Sequence, residues 1–202
     1  MESNKSISKQ NLGETVSSNF INGDELANLK KVTDIDNNIQ CEFGDLIICT
    51  ANELHVKEIA ELWANLACVQ QISAPQRYDF VSEGKDWQSF VRRKLSKKNN
   101  LLLVAHNKGI AEIKGFLYLQ TVTIPSSDLI LKGIIEDIYT KPQYRKQGIA
   151  VKMLDVSLEW ALKQNIKQID LISPATTNDL TALYARLLKQ NKKNINLELL
   201  SI

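Results

Sequence analysis

The chain has 202 residues, enough for one domain with an appendage and enough to bury a core without disulfides or metal. Hydrophobic residues make up 44% and charged residues 24%, and a net charge of +2 is too small to point to nucleic acid or a membrane as partner. Three cysteines (Cys41, Cys49, Cys68) and two histidines (His55, His106) stand at no metal-ligand spacing. No metal site is therefore expected, and the cysteines read as reduced packing residues.

Residues 1–44 are rich in Asn, Ser, Lys, Asp and Glu, with scattered apolar residues, and read as a disordered or loosely ordered extension. Within it only Asp24 to Lys31 has the spacing of a short amphipathic helix. The first residues lack the apolar core of a signal peptide, and Glu2 and Glu14 oppose a transit peptide. No stretch approaches the ~18–20 apolar residues of a membrane span. The expected compartment is the cytoplasm.

From Asp45 the texture changes, and 45–202 reads as the folded domain. Leu46 to Thr50 is a strand, and Thr50 with Glu53 has the form of a capping box. In the helix that follows, Val56, Ile59, Leu62, Trp63, Leu66 and Val69 recur at helical spacing. A second helix runs from Asp86 to Leu95. Its basic end, Arg92-Arg93-Lys94 with Lys97-Lys98, suits the negative pole of the helix dipole; a phosphate site there is the less favoured reading. Tyr78 and Phe80, between these helices, are candidates to touch a bound molecule or to cap the core. Leu101 to Ala105 is a buried strand, Asn107-Lys108-Gly109 a turn, and Ile113 to Val122 a returning strand. After the turn Pro125 to Asp128 come a strand over Leu131 to Thr140, a helix over Gln147 to Gln164 and a strand over Gln168 to Ser173. A helix over Asp179 to Gln190 and a strand from Ile195 to Ile202 close the chain. The order β–α–α–β–β–β–α–β–α–β predicts an α+β structure on a mixed sheet.

The chemistry concentrates between Ile134 and Ala150. Pro142 ends the strand, and a helix begins a few residues on, across Arg145-Lys146-Gln147-Gly148-Ile149-Ala150. A helix N-terminus presents unpaired N–H groups and a positive dipole end to an anion. Gly148 removes the Cβ that would block a phosphate, and Arg145 and Lys146 add charge beside it. A Walker loop and a G-x-G-x-x-G fingerprint are both absent, so two other phosphate-binding designs fail.

The pattern Arg145, Gly148, Ala150 after a strand and a proline turn resembles the acyl-CoA signature of the GNAT superfamily of N-acetyltransferases. The resemblance covers about Asp45 to Ile202 and takes in Gly115-Phe116, Glu159-Trp160-Ala161 and the Leu183-Tyr184 pair. It implies a central sheet in which the fourth strand (131–140) splays from the fifth (168–173), with the pantetheine arm of acetyl-CoA in the gap. By position, backbone groups of Ile138, Tyr139 and Thr140 would bond that arm. The pyrophosphate would lie on N–H groups of Gln147, Gly148, Ile149 and Ala150, flanked by Arg145 and Lys146. The stretch Ile135 to Thr140 also looks like its counterpart in the polyamine acetyltransferases.

The same resemblance implies a catalytic base and acid. Amine acylation needs a neutral nucleophile, and a carboxylate can take its proton. Glu136 stands at the family's catalytic glutamate, and Tyr184 at its general acid. Asp137 is expected on the opposite sheet face from Glu136, because strand side chains alternate. Three departures stand out. Thr177, with Asn178 one place later, replaces the asparagine that contacts pantetheine, so either residue is a candidate. Leu187-Leu188-Lys189 replaces a Gly-Phe, which predicts a shortened or irregular C-terminal hairpin. Thr140 stands where an aliphatic residue is usual.

The reading is an acetyl-CoA-dependent N-acetyltransferase that works by direct attack in a ternary complex. A small-molecule amine is the favoured acceptor, metal is not needed, and a homodimer stays open. The alternatives are a non-catalytic acyl-CoA-binding module and an acetyltransferase acting on protein lysines or N-termini.

Overall fold

The computed structural model describes residues 39–70, 86–124, 130–173, 178–190 and 195–201. The expectations for Asp24 to Lys31, Tyr78, Phe80, Thr177 and the turn at Pro125 to Asp128 lie outside the described residues. Seven strands form one sheet in chain order: β1 (Gln40–Phe43), β2 (Leu46–Thr50), β3 (Leu101–Asn107), β4 (Ile113–Ile124), β5 (Ile130–Thr140), β6 (Gln168–Ser173) and β7 (Asn196–Ser201). The pairs from β1 to β5 are antiparallel; β5–β6 and β6–β7 are parallel. Among the described residues four α-helices join them: α1 (Val56–Gln70), α2 (Trp87–Leu95), α3 (Ile149–Lys163) and α4 (Asn178–Gln190).

Three local expectations change. Strand β1 falls within the stretch assigned to the extension, yet it pairs with β2 through Gln40↔Cys49 to Phe43↔Leu46, so the sheet starts earlier than expected. Its weak alternation, with no fully buried residue, is why composition hid it. The cap ahead of α1 is Asn52, not Thr50. Asn52 Oδ1 accepts from Leu54 N, and His55 Nδ1 accepts from Asn52 N at 3.0 Å, a reciprocal box on the short 3₁₀ turn Glu53–His55. Thr50 instead ends β2, where its Oγ1 accepts from Ile39 N. On α1 the apolar stripe runs through Val56, Ile59, Trp63 and Leu66 to Gln70, leaving Val69 63% exposed. Cys68 is also exposed, so it is no packing residue, whereas Cys41 and Cys49 are half-buried; all three are free thiols.

The two sheet faces carry separate cores. Helices α1 and α2 lay Val56, Ile59, Trp63 and Val91 on Leu102, Val104, Phe116, Tyr118 and Tyr139. Helices α3 and α4 lay Met153, Leu154, Trp160, Tyr184 and Leu187 on Leu103, Leu117, Ile135, Ile138 and Leu171. Positions of β3 alternate between the faces, and so do those of β4 from Phe116 to Leu119; a register shift between Ala105 and His106 puts Ile113 on the face of Phe116 and Tyr118. Trp63 sits at the centre of the first core, edge-on to Phe90 at 4.9 Å and tilted on Phe116 at 4.8 Å. Truncating such a side chain costs about 3–5 kcal/mol.

Helix ends follow local chemistry. Asp86 caps α2 by accepting from Gln88 N at 2.9 Å. Helix α3 stops in a Schellman motif: Asn165 takes the left-handed conformation (φ 58), Ile166 N bonds to Ala161 O, and Asn165 N bonds to Leu162 O. Among the described residues the expected closing strand, β7, follows α4 and pairs in parallel with β6. No described helix is long and apolar enough to cross a membrane.

Candidate active site at the splayed end of β5

Strands β5 and β6 pair from Lys132↔Gln168 to Ile135↔Leu171 and no further, although β5 continues to Thr140 and β6 to Ser173. Among the described residues the β6 edge of Glu136 to Thr140 is thus left without its neighbour, and β6 pairs with β7 along its whole length. Because β1 adds a strand, β5 and β6 are the expected fourth and fifth strands, and their splay is the expected one.

On the other edge β5 stays with β4, and alternation decides which backbone groups face the gap. Lys141 N bonds to Lys114 O at 2.8 Å, and Tyr139 O lies 2.5 Å from where a Cβ on Gly115 would stand. Tyr139 and Lys141 therefore address β4, and Ile138 and Thr140 address the open edge. Tyr139 was expected to offer its backbone there; its ring instead packs on Phe116, with the Arg145 guanidinium 5.8 Å away. The Thr140 hydroxyl is buried and meets no hydrogen-bond partner among the described residues.

A bulge separates Tyr118↔Asp137 from Leu119↔Ile135, so Glu136 is the extra residue on β5. It cancels one step of alternation, and Glu136 and Asp137 face the same side, contrary to the expectation of opposite faces. Glu136 Oε2 accepts from Lys94 Nζ of α2 at 3.0 Å, both side chains about one-fifth exposed. Asp137 is buried, and its Oδ2 accepts from Trp63 Nε1 of α1 at 3.1 Å. The Lys94 ammonium also lies 4.3 Å from the Tyr118 ring centroid. Burial, and then the Glu136 charge, push the Tyr118 phenol well above its ordinary range, so it stays protonated.

Beyond Thr140 the chain makes the 3₁₀ turn Pro142–Tyr144 and enters α3. Lys146 (φ 60) and Gly148 (φ 79) are left-handed with Gln147 between them, an alternation that turns successive N–H groups to one side. Gly148 is the N-cap residue of α3, no side chain caps the helix, and nothing stands within 4 Å of a Cβ added there. Ile149 is buried beneath the turn, while Arg145, Lys146, Gln147 and Gly148 are exposed and Ala150 is half-buried. Arg145 Nε donates to Thr140 O at 3.1 Å, tying the turn to the strand end.

An ion-pair network that the sequence did not announce anchors this turn. Lys141 Nζ reaches Glu58 Oε1 of α1 at 2.8 Å and Glu112 Oε1 at 2.9 Å, and Tyr144 OH donates to Glu112 Oε2 at 2.8 Å. Burial works against the Lys141 charge, but the bonds to Glu58 and Glu112 outweigh it and raise its pKa above the ordinary lysine value. The same Lys141 and Tyr144 bonds hold the Glu112 carboxyl below its usual range. Its residues lie up to 83 positions apart, so no local pattern marks them.

Tyr184 is fully buried on α4, in the apolar core of the opposite sheet face that also holds Ile138 and Ile149. Thr181, one turn earlier, meets Ser173 Oγ at 3.1 Å and sets α4 on the far end of β6. Asn178 is the first residue of α4. Glu136 and Tyr184 thus lie on the two faces of the sheet. Among the described residues no group of three or more His, Cys, Asp or Glu side chains has metal-binding geometry.

Solved structures share this fold. A ribosomal-protein-alanine N-acetyltransferase from Brucella melitensis is 20% identical with a TM-score of 0.55, covering 70% of this chain and 89% of its own. A transcriptional regulator from Bacillus halodurans is 19% identical with a TM-score of 0.56, covering 73% and 95%. An aminoglycoside acetyltransferase from an uncultured soil metagenomic sample is 14% identical with a TM-score of 0.56, covering 74% and 90%. At these identities the likeness is one of fold. No curated protein sequence matches the chain. Residues 72–188, more than half of the chain, match the Acetyltransferase (GNAT) family, and with the splayed strands and uncapped glycine turn already in place, the chain belongs to that family.

Proposed function

We propose that the protein transfers an acetyl group from acetyl-CoA to an amine by direct attack in a ternary complex. The observation that carries this reading is the continuity of two open backbone surfaces, the vacated edge of β5 beyond Ile135 and the uncapped turn at Gly148. The residues fit the nucleotide. Backbone groups of Ile138 and Thr140 are turned to the gap, the buried Thr140 hydroxyl has hydrogen-bonding capacity to spare, and Gly148 leaves room where a side chain would stand. The N–H groups of Gln147 to Ala150 would hold the pyrophosphate, with Arg145 and Lys146 beside it. Asn178, at the start of α4, stays the candidate for a further contact to the pantetheine arm.

When bound, acetyl-CoA supplies a thioester, an acyl group already activated toward a neutral amine. The chain's contribution is to orient and to manage protons. Glu136 is assigned as the base that takes the amine proton, directly or through a water, because Asp137 is committed to Trp63 in the core. Lys94 keeps the Glu136 carboxylate compensated in its half-buried position. Tyr184 is assigned to hold the proton that the departing sulfur needs. Positioning should supply most of the acceleration, and each proton transfer about 10²–10⁴-fold.

Thiol release from acetyl-CoA with a panel of amines tests the reading. Glu136→Gln should lower kcat about a hundredfold or more while acetyl-CoA binding stays unchanged, and Tyr184→Phe should lower kcat without raising the KM for acetyl-CoA. Full activity in both variants would refute the residue roles. Binding without turnover over the whole panel would favour a non-catalytic module.

A further inference from the structure

We infer that the acceptor amine carries an anionic group, a carboxylate or a phosphate, seated in a basic cavity at the C-terminal end of α2. The inference rests on the reading above, in which Glu136 faces the acceptor. The cavity has a volume of about 810 Å³, the size of a small-molecule site. Arg93, Lys94, Lys97 and Lys98 line it, the rings of Phe90 and Tyr118 add apolar surface, and no carboxylate is among its described lining residues. Lys94 belongs both to this wall and to the ion pair with Glu136, so the cavity opens beside the proposed base.

The helix dipole explains only part of this charge. Arg92, Arg93 and Lys94 occupy the last turn of α2, where cations are favoured. Lys97 and Lys98 lie beyond the helix end and still line the cavity. The treatment of Arg92 is informative: its Nε is bonded to Glu53 at 2.7 Å, and it is not among the cavity's lining residues. Among the described residues Arg93, Lys94, Lys97 and Lys98 share this one cavity, and Lys94 reaches Glu136 from its wall. A ligand bearing a second ammonium would meet like charge there, whereas an anionic tail would reach several charged donors and leave the amine to approach Glu136.

The test uses the full chain and amines matched in size. γ-Aminobutyrate and ε-aminocaproate carry a carboxylate, O-phosphoethanolamine a phosphate, n-butylamine no second charge and putrescine a second ammonium. At least one anionic amine should show a kcat/KM on the order of tenfold or more above n-butylamine and putrescine. The Arg93→Glu/Lys97→Glu variant, altered at two exposed side chains, should erase or invert that preference while acetyl-CoA binding is unchanged. Whether carboxylate or phosphate is preferred identifies the source of the anion.

A second readout does not need turnover. With CoA present, N-acetyl-γ-aminobutyrate should bind by calorimetry, N-butylacetamide should bind at least about tenfold more weakly, and the double variant should lose the difference. That result without turnover would uphold the cavity's charge preference and refute acetyl transfer. Turnover that favours n-butylamine or putrescine, or is indifferent to charge, would overturn the anionic acceptor and leave acetyl transfer standing.

Discussion

Asp170 shows how one side chain can carry a disproportionate share of stability. It is buried on β6, its Oδ2 accepts from Lys132 Nζ of β5 at 2.6 Å, and its Oδ1 has no hydrogen bond among the described residues. The pair sits where β5 and β6 are still joined, just short of the splay. Lys132→Met strands a buried carboxylate and should cost about 3 kcal/mol, read as a lower midpoint in urea. Lys132→Met/Asp170→Leu, which removes both charges, should recover most of that loss. A double variant no more stable than the single one would show that the pair itself is net stabilising. Asp137, buried against α1, follows the same logic: Asp137→Ala would leave the Trp63 N–H unpaired in the core, at about 1–3 kcal/mol.

Two elements set the site by how they begin or meet. The close approach of β4 and β5 requires Gly115, since a Cβ there would stand 2.5 Å from the Tyr139 carbonyl oxygen, a backbone atom that cannot swing aside. Gly115→Ala should destabilise the protein by about 1–3 kcal/mol in denaturant unfolding and weaken acetyl-CoA binding, because the displaced segment includes Thr140. Equal stability to the native chain would show that the strands can part. At the start of α1, burial, and next the neighbouring His106, depress the His55 pKa below 6.5. A histidine with a lowered folded pKa binds its proton more readily when unfolded. Stability is therefore full above 6.5 and falls as pH drops from there toward the folded pKa. The same protonation removes the Nδ1 acceptor of the Asn52 N–H, a cap worth about 1 kcal/mol. His55→Gln, which keeps an acceptor but does not titrate, should flatten that part of the pH–melting profile.

The sequence exposed the elements whose signal is local. Strands β3 and β6, helix α2 and the junction at Gly148 follow from runs of apolar residues, helical spacing and a glycine at a strand–turn–helix boundary. Features that depend on partners distant in the chain were not legible. The bulge at Glu136 exists only in register with Tyr118 and Leu119, and it moves Asp137 to the face where Glu136 already points. The Lys141 network and the Lys94–Glu136 pair join residues 42 or more positions apart or across separate elements. Strand β1 lacks a buried face of its own and becomes visible only through its pairing with β2.

At the scale of the whole molecule, the sheet works as a partition. Glu136, Lys94 and the basic cavity lie on the α1/α2 face, Tyr184 lies in the α3/α4 core, and the gap between β5 and β6 joins the two sides. The same fold occurs in a ribosomal-protein-alanine N-acetyltransferase, a transcriptional regulator and an aminoglycoside acetyltransferase, so it does not choose the acceptor. What these assignments share is a nucleotide held by the open β5 edge and the Gly148 turn. Isothermal titration of acetyl-CoA into the full chain, beside a Gly148→Val variant, tests this most directly. The expected result is saturable one-site binding, weakened about tenfold or more by a β-branched side chain forced into φ 79 over the proposed pyrophosphate seat. No heat of binding to the folded native chain, or unchanged affinity in Gly148→Val, would contradict the account.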